Sequence, residues 1–356
     1  MGLFVNFLAG PGLYALPAHL VYAIMLNYVD NCASPNKMNR IRWILQVARP
    51  KYTSLDSGGY QRLTAELNGK GIKEVETITP EKVVEAAAQL KPTFMMALDA
   101  PIRDLKGDEE REQEFKNKLE KNVLWAIETA ALRQERCPDV GLFIPVQCYS
   151  LQHLNEFMRA IEGIKLTGLS LPIRGMSLRD IALFLLRFHQ LGIKSVHLLG
   201  VAAFFPMALA AYFSRHFFQW VSLDAKTWMD RALHNDFLSP YDLTSVQVNE
   251  RVLIPEDTFL DCTCPFCRNR TFSYLKHLPY TDRALLLRCH NYFVTEKTAS
   301  ELHQNATSIS SLYNHVKKRT HKIDKVEELL MALKMVEILK DQKLGTLPSG
   351  QAFKGL

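Results

Sequence analysis

No run of eighteen apolar residues occurs in the 356-residue chain. The longest candidates, around 12–26 and 196–213, are broken by proline and histidine and are too mixed to cross a bilayer. The opening MGLFVNFLAGPG has no basic residue ahead of its apolar stretch, so it reads as a buried strand and turn and not as a secretory signal. Gly-x-Gly-x-x-Gly follows none of the apolar runs, which argues against a dinucleotide fold. Internal repeats and low-complexity tracts are also missing. The cysteines number seven, an odd count, and Cys32, Cys137 and Cys148 stand alone in apolar surroundings. Disulfide stapling is therefore not expected, and a reducing, cytoplasmic setting is. At 47% hydrophobic residues the chain can bury one large core or two smaller ones.

What is present alternates. Short apolar runs recur at 5–10, 52–59, 93–100, 141–147, 165–170, 195–200 and 218–225, and helix-compatible stretches lie between them at 39–49, 80–90, 109–134, 151–161, 177–191 and 203–215. Helix starts are signalled by Thr79-Pro80-Glu81 and by Ser177 with Asp180 three residues on. Strands buried on both faces and separated by helices predict a parallel sheet, here a closed (β/α)8 TIM barrel of the α/β class. Seven strands are legible and the eighth is not. After Asp224 the alternation gives way to about 65 residues holding VQVNERVLIP and a cysteine cluster, followed by helices expected at 291–304 and 323–340. The expected organisation is a barrel over 1–305, with an inserted zinc-binding subdomain at about 240–292, and a basic helical extension over 306–356.

The cluster comprises Cys262, Cys264 and Cys267, with His290 after twenty-two further residues. Four such ligands suit a closed tetrahedral zinc site that staples structure and leaves no position for a substrate. The C-x-C spacing is tighter than the usual knuckle, and Cys289 beside His290 keeps open a reading in which some of these are ordinary buried residues. A catalytic zinc of the deaminase type is disfavoured, because no His-x-Glu precedes Cys264-Pro265-Phe266-Cys267.

In a barrel the C-terminal strand ends carry the chemistry, and the residues assigned to those ends are Asp56, Asp99, Gln147, Gly168 and Asp224. Three carboxylates closing apolar runs are costly to bury unless used or paired, although each alone could cap a helix. Together they suit a double displacement, one carboxylate acting as nucleophile and another handling a proton. Gly58-Gly59 would let backbone approach a flat ligand, and Tyr60 would stack on it. The net charge of +6 is unevenly placed. Lys37, Arg40, Arg42, Arg49 and Lys51 lie in an acid-free stretch from 31 to 55, and KKRTHKIDK at 317–325 includes Lys317, Lys318 and Arg319. These patches fit either a polyanion-binding surface or a solvated helix face. The dense run 104–121 reads as an exposed helix start.

DSGGYQ at 56–61, MMALDA at 95–100, PVQ at 145–147, TGLS at 167–170, LLGV at 198–201, Asp224 in VSLDA and CTCPFC followed by His290-Asn291 stand in the order seen in the queuine/archaeosine tRNA-guanine transglycosylases. The chain resembles that family over roughly 50–295. The resemblance implies a barrel with an inserted structural zinc unit, base exchange in nucleic acid, and no organic cofactor. It also implies Asp224 as nucleophile, Asp56 as general acid/base, Asp99 and Gln147 reading the purine edge, backbone at Gly168 and Leu169 meeting its exocyclic group, and Tyr60 stacking on its face. Extrusion of the target nucleotide follows, because its anomeric carbon must reach a buried aspartate.

Departures bear on the partner. AKTWMDRALHN follows Asp224 where the tRNA enzymes carry a basic grip, leaving Lys226 as the adjoining cation, and Ala100-Pro101 replaces a cysteine near the base-reading aspartate. No C-terminal RNA-binding domain of the archaeosine type is expected after residue 300. On these grounds the chain is most similar to the DNA-guanine transglycosylases (the DpdA type), with DNA and a free 7-deazaguanine such as 7-cyano-7-deazaguanine as expected partners. The alternatives are tRNA as substrate and a non-catalytic zinc-stapled binding barrel. A duplex-opening partner and a homodimer are compatible with the reading, and no patch can be assigned to either. The two catalytic aspartates should face one cleft, with the metal outside it.

Overall fold

Eight short strands hydrogen-bond edge to edge, all parallel, in sequence order around a closed barrel. They are β1 (Leu3–Ala9), β2 (Ala23–Asn27), β3 (Tyr52–Asp56), β4 (Phe94–Met96), β5 (Gly141–Pro145), β6 (Gly168–Pro172), β7 (Ser195–Leu199) and β8 (Trp220–Ala225). The computed structural model describes residues 2–10, 16, 21–68, 77–200, 203–248, 260, 262–342 and 344. Most of VQVNERVLIP and Val201 of the LLGV motif lie outside that set.

The strand that the sequence does not disclose is the second. AIMLN occupies 23–27, overlapping the end of the apolar stretch around 12–26. Asp224 therefore sits on the eighth strand, and the metal-binding segment follows that strand. β8 closes on β1 from Leu3 opposite Trp220 to Leu8 opposite Ala225.

Strand parity sorts the barrel, since alternate residues point to opposite faces. Val5, Phe7, Ala23, Met25, Phe94, Met96 and Phe143 fill the interior. Leu8, Ile24, Leu26, Leu55, Leu142, Val196 and Val221 face the surrounding helices. Those helices include α1 (Pro35–Ala48), α2 (Gly59–Asn68), α3 (Pro80–Leu90), α4 (Asp108–Arg136), α5 (Leu151–Ala160), α6 (Leu178–Gln190) and α7 (Phe204–His216). Side chains of Ser34, Thr79, Ser150 and Ser177 accept from backbone N–H groups at four of the helix starts, with proline in the first turn of α1 and α3. The charged run 104–121 leads into α4, whose first turn carries Asp108, Glu109 and Glu110, as a helix N-terminus favours.

Beyond β8 come α8 (Thr227–Leu233), the antiparallel pair β9 (Asp236–Leu238) and β10 (Ser245–Gln247), α9 (Phe272–His277) and α10 (Tyr280–Asn305). Ala232, Phe237, Val248, Leu260, Phe272, Leu275 and Leu287 form a second, small core around Cys264 and Cys267. The helix expected at 291–304 is thus the latter half of a longer one that begins at Tyr280 and carries His290 in its middle. The closing helices α11 (Ile309–Arg319) and α12 (Ile323–Leu339) bury Leu312, Val316, Val326, Leu329, Leu333 and Val336 in the same core as the barrel's outer layer.

Candidate active site and metal centre

The C-terminal ends of the strands surround a pocket of about 270 Å³. Asn27, Asp56, Asp99, Gln147 and Asp224 supply its polar wall, Met25, Pro101, Pro172 and Leu199 its apolar one, and Tyr60, Arg174 and Lys226 also line it. Asp56 and Asp224 come from the last inward positions of β3 and β8, so both expected catalytic carboxylates reach one cavity.

Asp56 is held by Asn27, whose Nδ2 donates to Asp56 Oδ2 and, at 3.2 Å, to Gln61 Oε1. Asn27 is fixed in turn, its Oδ1 accepting from the backbone of Val29 and Asp30 and its N–H donating to Asn31 Oδ1. Burial, then the nearby charges of Asp99 and Asp224, push the Asp56 carboxyl up to about 7, against the smaller opposing pull of Asn27 and Gly58. A carboxyl that changes protonation near neutrality suits proton transfer in both directions. Burial likewise raises Asp99 to about 6, opposed by Gln147 and Ser57. Gln147 Nε2 donates to Asp99 Oδ2 at 2.6 Å, Ser57 Oγ donates to Oδ1 at 3.1 Å, and Gln147 Oε1 accepts from the Ile102 N–H.

Gly58 and Gly59 serve the protein's own packing. Gly58 has φ +87°, and a Cβ there would lie 2.7 Å from Val29 Cγ2. A Cβ on Gly59 would lie 2.2 Å from Asp99 Oδ1. The pair lets the start of α2 close against the carboxylate of β4's extension, instead of admitting a ligand to the backbone. Tyr60 is half exposed, with the Arg174 guanidinium 4.7 Å from its ring centroid and donating to its hydroxyl.

Gly168 and Leu169 are not brought to this site. Gly168 opens β6, opposite Phe143, and its missing Cβ makes room for Ser195 O and the Phe143 ring. The same strand reaches the pocket through Pro172, four residues on and about 13 Å higher, and through Arg174 beyond it. Leu169 points outward into the helix layer. Of the basic residues singled out in the sequence, Lys226 alone lines the pocket. Lys51 immediately precedes β3, over the rings of Tyr22 and Tyr52 at the other end of the barrel from Asp56. Arg49 caps the C-terminus of α1 at that same end, and Arg42 on α1 donates to Gln89 near the end of α3. Arg40 is exposed on α1, and Lys317 and Lys318 are exposed on α11, away from the pocket lining. Arg319 is engaged internally, donating to the carbonyls of Pro240 and Tyr241 and pairing with Glu301.

Besides Arg174, two groups bonded to the site's carboxylates escape sequence reading. Asn27 is hidden with its strand. His197, wholly buried on β7, brings Nε2 within 3.3 Å of Asp224 Oδ1, where the Gly200 N–H also donates at 2.7 Å. Its only sequence signal is one polar residue at an inward position of an apolar strand.

The ligand atoms of Cys262, Cys264, Cys267 and His290 lie within 4.8 Å of one another, a group able to hold a metal ion. His290 Nε2 lies 2.8 Å from the Leu238 carbonyl, an arrangement that places the ring proton there and leaves Nδ1 for the metal. Phe237 stacks on the imidazole at 3.9 Å, and Cys264, Cys267 and His290 are fully buried. Four protein donors, three of them fully buried, fit a closed structural ion, and none of them lines the pocket at the strand ends.

A closed parallel barrel with three carboxylates, Asp56, Asp99 and Asp224, lining one pocket at its strand ends has the architecture of a (β/α)8 enzyme. The chain belongs to the queuine tRNA-ribosyltransferase (TGT) family, which it matches over residues 21–322, and is a pentosyltransferase, a guanine transglycosylase. No curated protein matches it. Among the described residues no helix is long and apolar enough to cross a membrane.

Proposed function

We propose that the enzyme replaces guanine in DNA with a free 7-deazaguanine, such as 7-cyano-7-deazaguanine, through a covalent Asp224–nucleoside ester. The observation that carries the chemistry is the convergence of Asp56, Asp99, Gln147 and Asp224 on one pocket. Asp224 attacks C1′ as the C1′–N9 bond breaks, and Asp56, protonated in the resting enzyme, delivers its proton to the departing guanine. The incoming base returns a proton to Asp56 as its nitrogen attacks C1′ and frees Asp224. Asp99 accepts from the N1/N2 donors of the purine edge, and Gln147 offers a donor and an acceptor. Tyr60 stacks on the base at the mouth.

The choice of DNA rests on the segment after the nucleophile. That segment folds as α8, with Trp228, Met229 and Ala232 buried. Arg231 is paired with Asp236 at 3.0 Å, which leaves Lys226, loosely paired with Asp230 at 3.8 Å, as its one cation lining the pocket. This is a poor grip for a folded RNA loop. The second reading, tRNA, is favoured by the family's name. Zinc, held by Cys262, Cys264, Cys267 and His290, would cross-link the small core and supply no chemistry to the pocket.

Incubation of the protein with labelled guanine and either DNA or bulk tRNA separates the two readings. Label entering DNA, lost in Asp224→Asn, is expected. Label entering tRNA alone overturns the DNA assignment, and exchange unaffected by Asp224→Asn overturns the mechanism.

A further inference from the structure

We propose that His197 is a positioning residue that fixes which oxygen of Asp224 attacks. This inference rests on the reading of Asp224 as nucleophile. Trp220, Ser222 and Asp224 are successive inward residues of β8, and His197 is the matching inward residue of β7, opposite Ser222. Trp220 Nε1 donates to Ser222 Oγ at 2.9 Å, and Ser222 Oγ lies 2.9 Å from His197 Nδ1. With its oxygen already accepting from the indole, the Ser222 hydroxyl turns its proton to Nδ1. The remaining ring proton then belongs on Nε2, facing Asp224 Oδ1.

Oδ1 thus takes two donors, the Gly200 N–H and His197 Nε2–H. Among the described residues no donor reaches Oδ2. The carboxylate is held by one oxygen and presents the other, with its lone pairs free for C1′. In the first half-reaction the Oδ2–C1′ bond forms, the C1′–N9 pair goes to the departing base, and Oδ1 becomes the ester carbonyl. In the second, the Oδ2–C1′ pair returns to Asp224, and charge reappears on a carboxylate already solvated by the two donors. A donor at Oδ1 favours the carboxylate over the ester, so its loss slows ester cleavage more than ester formation.

The test compares His197→Leu with His197→Gln in the full-length protein. His197 is packed between Phe7 and Phe94, with ring centroids 6.1 and 6.0 Å away, so leucine fills its space without a donor. Glutamine restores an N–H. Exchange of labelled guanine is followed in DNA oligonucleotides and in bulk tRNA, together with the amount of trapped protein–nucleic acid adduct. Expected for His197→Leu are an unchanged melting temperature, a base KM within about twofold, a kcat lowered about tenfold or more, and an accumulated adduct. His197→Gln should recover most of the rate. Wild-type exchange in His197→Leu overturns the proposal. Equal slowing of both half-reactions without rescue by glutamine also overturns it, because packing alone would do that. A wild-type protein that forms no adduct, with Asp224→Asn still exchanging, would instead refute the nucleophile assignment.

Discussion

Gly59 at the start of α2 lies so close to Asp99 that a single added methyl on the glycine would fall 2.2 Å from the carboxylate oxygen. A residue that looks like slack in the sequence is the surface on which the Asp99 carboxylate rests. Gly59→Ala is expected to displace Asp99 from Ser57 and Gln147 and to raise KM for the free base by about tenfold or more, with a smaller change in melting temperature. A variant that binds the base as well as wild type would show that Asp99 does not need this seat.

The pH dependence of exchange should report Asp56. In the proposed mechanism guanine departure needs Asp56 protonated, and burial places its transition at about 7. Initial rates with saturating nucleic acid are therefore expected to fall as pH rises through about 7, and Asp56→Asn should be inactive across the range.

Stability should move the other way in that variant. The folded-state value of Asp56 lies above its ordinary 3.8, so the fold favours the protonated carboxyl. That contribution is complete below about 4 and is lost as pH rises through about 7. Asp56→Asn should thus melt higher than wild type at pH 8, by the order of 1–3 kcal/mol, and show no such advantage at pH 4. Thermal melts at the two pH values check the sign.

Removal of metal should loosen one part of the molecule. With a strong chelator, or in Cys264→Ser, amide exchange is expected to quicken around Phe237, Leu275 and Leu287, while the barrel strands stay protected. Uniform unfolding of both regions would mean that the small core and the barrel share one cooperative transition.

Arg319 separates charge from position. Its guanidinium ties the end of α11 to the carbonyls of Pro240 and Tyr241 and to Glu301. Arg319→Ala is expected to cost about 1–3 kcal/mol in denaturant melts and to leave the salt dependence of nucleic-acid binding unchanged. Lys226→Ala, at the pocket, should reduce that salt slope by about one counterion while leaving stability near wild type.

The parts of the fold that are local in sequence are legible there. A buried run such as GLFIP announces a strand because both faces are apolar, and three cysteines within six residues announce a metal group because they need only one distant partner. What fails is anything that depends on which end of a strand a residue occupies. TGLS was expected to close a strand, but β6 begins at Gly168 and runs on to Pro172, so the motif sits at the foot of the barrel. Arg49 and Lys51 look like a nucleic-acid surface in one dimension, and the direction of β3 carries them to the far face. AIMLN is only five residues long and continues an apolar stretch with no turn signal inside it, so β2 and Asn27 went unseen together. His197 was missed because one histidine in an apolar strand is ordinarily a core residue, and only pairing with Ser222 on the neighbouring strand shows what it faces.

The pairing of β1 with β8 sets a condition on when the enzyme can exist. Leu3–Leu8, near the start of the chain, form the edge against which the strand bearing Asp224 is laid. Asp56, Asp99 and Gln147 stand on β3 and just beyond β4 and β5, whereas Asp224 takes its place only when β8 is laid against β1 and the two ends of the barrel meet. That is a long-range contact of the kind that forms slowly. In the proposed mechanism a chain short of β8 lacks the carboxylate that breaks the glycosidic bond, so activity would depend on closure of this seam.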